Sequence, residues 1–97
     1  MTTRQDAYTV IDGERTYQDT QVDPSKYGLN DSATFAYYLT VLDTYLRKAQ
    51  DSYTFDGVEQ SLHQIRKLAA IAVHCMEDHG APPRVLPEEV PAEEIPW

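Results

Sequence analysis

The sequence predicts an all-α protein, and three observations carry that prediction. Val58, Leu62, Ile65, Ala69, Ala72, Met76 and His79 recur at steps of four and three, the spacing of one helical face. Phe35, Leu39, Leu42, Leu46, Ala49 and Tyr53 repeat that spacing on an earlier segment. Between the rows of the later segment, Leu68 to Val73 (LAAIAV) is apolar on every side, and a helix of that kind has to be covered all round. The expected architecture is two long antiparallel helices plus a shorter N-terminal helix and an extended Pro-rich C-terminal tail. Oligomerisation completes the bundle. Residues 1–80 form the helical domain and 81–97 the tail.

The first helix is expected from Thr3 to about Thr20. Thr3 can cap it, and Asp6 places a negative charge in the first turn, where the helix end is positive. Ala7, Val10, Ile11 and Tyr17 give a thin apolar stripe. Gly13 costs about 1 kcal/mol against alanine in a helix, so a break is expected near it. Gln21 to Asn30 reads as a loop, punctuated by Pro24 and Gly28. Asp31 or Ser32 should cap the second helix, which runs to about Ser52 with Tyr38 and Tyr45 widening its stripe.

Asp56 followed by Glu59 fits a capping box for the central helix, which should begin near Gly57. Gly80 should end it and Pro82–Pro83 prevent its restart. Beside the main row of that helix runs a second one, Leu68, Ile71 and Cys75. The tail holds five of the six prolines, and such density favours extended chain. Its Val85, Leu86, Val90, Ile95 and Trp97 fit a strap across a helical groove, while its glutamates fit a solvated acidic tail. Both readings stand.

Composition narrows the function. Net charge is −8, with sixteen acidic against eight basic residues, the wrong sign for a general nucleic-acid binder or an anionic membrane surface. No apolar run approaches the roughly 20 residues that span a bilayer. The N-terminus lacks the apolar core of a secretion signal, and a single cysteine excludes an internal disulfide. The expected setting is the cytoplasm.

One copy cannot cover the central helix. Once the two long helices pair, the side carrying Ala70 and Val73 is left open, and the first helix is too thinly apolar to close it. Small residues at 69, 70 and 72 permit close helix approach, so a homo-oligomer is expected, a dimer or an assembly of dimers.

Chemistry-bearing residues are sparse. There is no GxSxG, P-loop, HExxH or CxxC pattern. Cys75 and His79 are an i,i+4 thiol–base pair, but an apolar flank raises a thiol pKa, and a packing cysteine is the better reading. His63, His74 and His79 do not share a face suited to a metal. His74 and Asp78 are an i,i+4 pair that suits a helix-end hydrogen bond better than a metal. No acid pair at i,i+3 or i,i+4 lies within a helix body, so no helical magnesium site, catalytic centre or cofactor is expected. Glu14 to Asp19 is more suggestive. Arg15, Tyr17 and Gln18 set a forked cation, a stacking ring and an amide together, with Lys26 and Tyr27 following in the loop. Composition alone favours a polar helix face with pairs such as Arg15–Asp19. Arg47–Lys48 and Arg66–Lys67 are dibasic steps that either flank an anion site or decorate wet faces.

The residues Glu14, Arg15, Gln18 and Asp19, then Lys26, Tyr27 and Gly28, then two long helices, resemble small phage-encoded MazG-like proteins of the all-α nucleoside triphosphate pyrophosphohydrolases. The similarity covers roughly residues 11–76. Members of that group hold magnesium with an E-x-x-E pair on one long helix and E-x-x-D on the next. Here Arg47 and Lys48 occupy the neighbourhood of the first pair and the second has no acid. The resemblance therefore implies a non-catalytic relative that keeps a nucleotide-sized pocket. The expected function is sequestration of a nucleotide or nucleotide-derived signal by Arg15, Tyr17, Gln18, Lys26, Tyr27, Arg47, Lys48 and Arg84, countering host defence. A structural or protein-binding adaptor that docks through its tail is the alternative. An active pyrophosphohydrolase is the third reading.

Overall fold

The computed structural model describes residues 1–21 and 34–84. They form three helices, α1 (Arg4–Gln21), α2 (Phe35–Asp56) and α3 (Val58–His79), with no strand among the described residues. The expected all-α class is the observed one. Residues 81–84 have no regular structure, and residues 85–97 of the expected tail lie outside the described residues.

Each helix start follows from a side chain or a glycine. The Thr3 hydroxyl accepts from the Asp6 amide at 3.0 Å, and the Asp6 carboxylate accepts from the Thr3 amide at 3.1 Å. This reciprocal pairing is a capping box with Asp in the Glu position. The Thr3 backbone bond, and then its hydroxyl, hold the Asp6 carboxyl below its usual pKa. The helix then runs through Gly13 without the expected break. Intact hydrogen bonds on both sides carry a single glycine, whose cost is only about 1 kcal/mol.

The cap of α2 is Thr34, whose hydroxyl accepts from the Tyr37 amide at 3.1 Å. The expected caps, Asp31 and Ser32, lie outside the described residues. The helix continues past Ser52 to Asp56. Asp56 is thus the last residue of α2 and does not cap α3, so the expected capping box with Glu59 does not form. Gly57 alone joins the two helices, at φ 99° and ψ −175°, a conformation nearly confined to glycine. Its N–H closes α2 onto Ser52 O at 3.0 Å, while its carbonyl accepts from Ser61. Gly80, at φ 117°, ends α3 as expected, donating to Met76 O at 2.9 Å.

So short a link makes α2 and α3 an antiparallel hairpin. The Ser61 hydroxyl donates to Ala49 O at 2.8 Å near the turn, and Tyr38 meets Asp78 at the open end. Between them lies the core of Tyr38, Ile71 and Cys75, flanked by half-buried Val41, Leu42 and Tyr45. Ala49 and Ala70 are also buried.

The rows of α3 divide their partners differently from the expectation. Ile71, Cys75 and Asp78 lie on the side that meets α2. Arg66, Ala70, Val73 and Glu77, again spaced four, three and four, form the row that receives α1. Ala70 is fully buried and Val73 half-buried, so the side expected to stay open is closed. The thinly apolar α1 closes it because small side chains sit at the centre of that row and ion pairs at its two ends. The row expected to face a partner in the chain stays open instead. Val58, Leu62, Ile65 and Met76 are all exposed. A helix apolar all round has more faces than two neighbouring helices can cover.

Candidate functional site

Polar side chains from all three helices meet near the C-terminal end of α3. From α1, Arg15 Nε donates to Glu77 Oε2 at 2.7 Å, and its other nitrogens reach Glu77 and Asp19. Its side chain is 12% exposed. Burial opposes its charge, but hydrogen bonds to Glu77 and then Asp19 reverse that effect and leave its pKa raised. Glu14, 10% exposed, accepts from Arg66 Nε at 2.6 Å. Gln18 donates to the Lys67 carbonyl at 3.4 Å. These contacts tie α1 to α3.

From α2, the fully buried Tyr38 donates its phenol to Asp78. The same carboxylate oxygen lies 3.7 Å from His74 Nε2. The Tyr38 ring meets the rings of His74 and His79 edge-on, at 5.5 and 5.7 Å between centroids, and Phe35 meets His79 at 5.8 Å. Burial, followed by the Asp78 carboxylate, pushes the phenol pKa well above its ordinary value. Burial and then Asp78 also raise the pKa of the Cys75 thiol. Cys75 is therefore a buried, protonated thiol, as a packing residue would be.

Of the expected ligand residues, five lie on two of the helices. Arg15, Tyr17 and Gln18 lie on α1, where Arg15 and Gln18 turn onto α3 and the Tyr17 ring stays exposed. Arg47 and Lys48 lie on α2 with partners in their own helix. Arg47 Nε donates to Asp43 at 3.0 Å, and Lys48 Nζ stands 4.7 Å from the Tyr45 ring centre. Arg84 is exposed beyond α3, and Lys26 and Tyr27 lie outside the described residues. Among the described residues no three His, Cys, Asp or Glu side chains converge in a way that could hold a metal ion. None of the described helices is long and apolar enough to cross a membrane.

Two features were missed from the sequence. One is the Tyr38–Asp78 contact. Its signal was a tyrosine beside a leucine-rich stripe, with a polar tip that needs a partner once buried. The other is the exposure of the Val58–Met76 row of α3: the row itself was legible, but its strict four-three spacing, that of a helix–helix seam, does not say whether the partner lies in the same chain.

Fold and site define a class: an all-α protein whose described residues form three helices, with a polar three-way junction at one end and an exposed apolar row along its central helix. No family model matches the chain, and no curated protein or solved structure is significantly similar to it.

Proposed function

We propose that this chain is a non-catalytic helical oligomer that works by binding. Its ligand is a nucleotide or nucleotide-derived signalling molecule, held in the cytoplasm, and the phage-like resemblance makes sequestration of a defence signal the natural use. The observation that carries the oligomer is the open row of α3, where large apolar side chains face water in a single copy. The ligand part draws on the exposed Tyr17 ring and on Arg47, whose side chain is largely exposed. Tyr17 on α1 is a ring that can stack on a base, and Arg47 on α2 is a cation that can meet phosphate, each a contact of the kind a nucleotide uses.

Calorimetry with a panel of linear and cyclic nucleotides tests the ligand. Heat from at least one, reduced by Tyr17→Ala and by Arg47→Ala, is the expected result. No heat at protein concentrations that saturate micromolar binders overturns it. Pyrophosphate release from a nucleoside triphosphate with Mg²⁺ would instead establish a hydrolase.

The second reading, a protein-binding adaptor, draws on the same open row and on the apolar residues of the sequence beyond Arg84. Deleting residues 85–97 separates the two. Loss of a protein partner with nucleotide binding intact favours the adaptor.

A further inference from the structure

We infer that two copies of this chain pair hairpin to hairpin, burying the Val58–Met76 row of α3 together with Phe35, Leu39, Leu46 and Tyr53 of α2 in a two-fold four-helix bundle. This rests on the oligomer proposed above and assigns its surface.

The first argument is geometric. A residue advances a helix by about 100°. On α2, Phe35, Leu39, Leu46 and Tyr53 follow the core row of Tyr38, Leu42, Tyr45 and Ala49 by roughly a fifth of a turn. On α3, the open row follows Ile71 and Cys75 by roughly a third of a turn in the same sense. The helices run antiparallel, so equal senses of offset bring both rows to one side of the hairpin. The row that receives α1 lies round the other way. The result is one continuous face made by two helices and left uncovered by the third.

The second argument is the chemistry of that face. Its eight large side chains, Phe35, Leu39, Leu46, Tyr53, Val58, Leu62, Ile65 and Met76, are between 41% and 61% exposed, and none is charged. Asp43 and Arg47, paired with each other, stand at its rim. An uncharged centre with a polar rim is the anatomy of a protein interface. Ala69 and Ala72 lie mid-row, where small side chains let facing helices approach.

The third argument is size. Side chains of this kind at half exposure offer roughly 100 Å² each, so the face amounts to on the order of 800 Å² per copy, the share each partner buries in a stable complex. The α3 row has the four-three repeat of a coiled-coil seam, so another helix of the same repeat fits it. A second copy brings one such helix, with the apolar row of α2 already joined antiparallel beside it.

Sedimentation equilibrium of the full chain tests the pairing, with Leu62→Lys on α3, Leu39→Lys on α2 and Tyr8→Lys on α1 as variants. Both lysines on the face replace exposed side chains, and circular dichroism verifies that each variant is helical. The expected result is an even multiple of the 11.1 kDa chain mass for the wild type and for Tyr8→Lys, and loss of pairing in both face variants. A wild-type oligomer that survives both face variants, or that Tyr8→Lys also breaks, overturns this surface and leaves the oligomer standing. A monomeric wild type, whether its face is wet or covered by its own residues 85–97, overturns both.

Discussion

The phenol of Tyr38 and the carboxylate of Asp78 are joined by a hydrogen bond from α2 to α3, and Tyr38 is the largest fully buried side chain among the described residues. One contact thus fixes the open end of the hairpin, at the opposite end from the Gly57 turn. Tyr38→Phe keeps the ring and removes the donor. It should cost about 1.5–3 kcal/mol, the range for hydrogen bonds to charged groups. Urea unfolding followed by circular dichroism measures it, and an unchanged midpoint would show the contact to be idle.

The same pair predicts how stability depends on alkaline pH. Burial and Asp78 keep Tyr38 protonated in the folded chain well above the ordinary phenol pKa of about 10. Its contribution is complete below that pH. Above it the unfolded chain sheds the proton first, so stability falls as pH rises, by about 1.4 kcal/mol per pH unit for this group, until the folded phenol ionises too. The raised thiol of Cys75 adds a fall of the same sign from a lower onset. Thermal unfolding between neutral pH and pH 11 should show the decline, and Tyr38→Phe should make it shallower.

Two glycines should respond in opposite directions to alanine. At Gly57 a Cβ meets no atom within 4 Å, so any cost is backbone strain at positive φ. That strain is about 1–3 kcal/mol, and Gly57→Ala should destabilise the chain by that amount. Gly13 also has open space but sits in regular helix, so Gly13→Ala should stabilise by about 1 kcal/mol. Denaturant midpoints check both. A neutral Gly57→Ala would mean the turn adopts another conformation.

The clamp between α1 and α3 should be separable from the hairpin. Arg15→Gln leaves Glu77 and Asp19 without their cation, and Glu14→Gln takes the carboxylate charge away from Arg66. Both carboxylate partners of Arg15 are half-exposed or more, so solvent screens part of the effect and Arg15→Gln should cost about 1 kcal/mol, whereas Glu14 and Arg66 are 10% and 28% exposed, so Glu14→Gln should cost more. Hydrogen exchange should quicken throughout α1 and hold steady in α2 and α3. Equal acceleration in all three would mean that α1 is integral to the core.

Salt should strengthen pairing between copies. Each chain carries a net charge of −8 and the proposed face is uncharged, so added salt screens repulsion and sacrifices no attraction across that face. Sedimentation across a sodium chloride series should show tighter association. Weakening would point to an interface built on ion pairs.

The amino-acid pattern by itself determined the three described helices, their approximate ends at Thr3, Gly57 and Gly80, and two apolar rows on the last of them with an apolar centre at Ala70 and Val73. Those are local matters of spacing, propensity and capping. It misplaced the cap of α2, because Asp31, Ser32 and Thr34 are all capable side chains and the choice lies with how the chain enters the helix. The candidate ligand residues could be nominated from residue type. Their partners could not, since Arg15 is as able to hold a phosphate as to hold Glu77.

Tertiary structure alone decided which row of α3 meets which neighbour. Val58, Leu62 and Ile65 make as good a helical face as Ile71 and Cys75, and periodicity ranks the first set higher. The second set is buried because Gly57 ties α2 alongside it and Tyr38 finds Asp78 there. Arg66 and Glu77 then seat α1 on Ala70 and Val73. Packing and polar pairing act between residues far apart in the chain, and a one-dimensional pattern carries no record of which distant partner arrives.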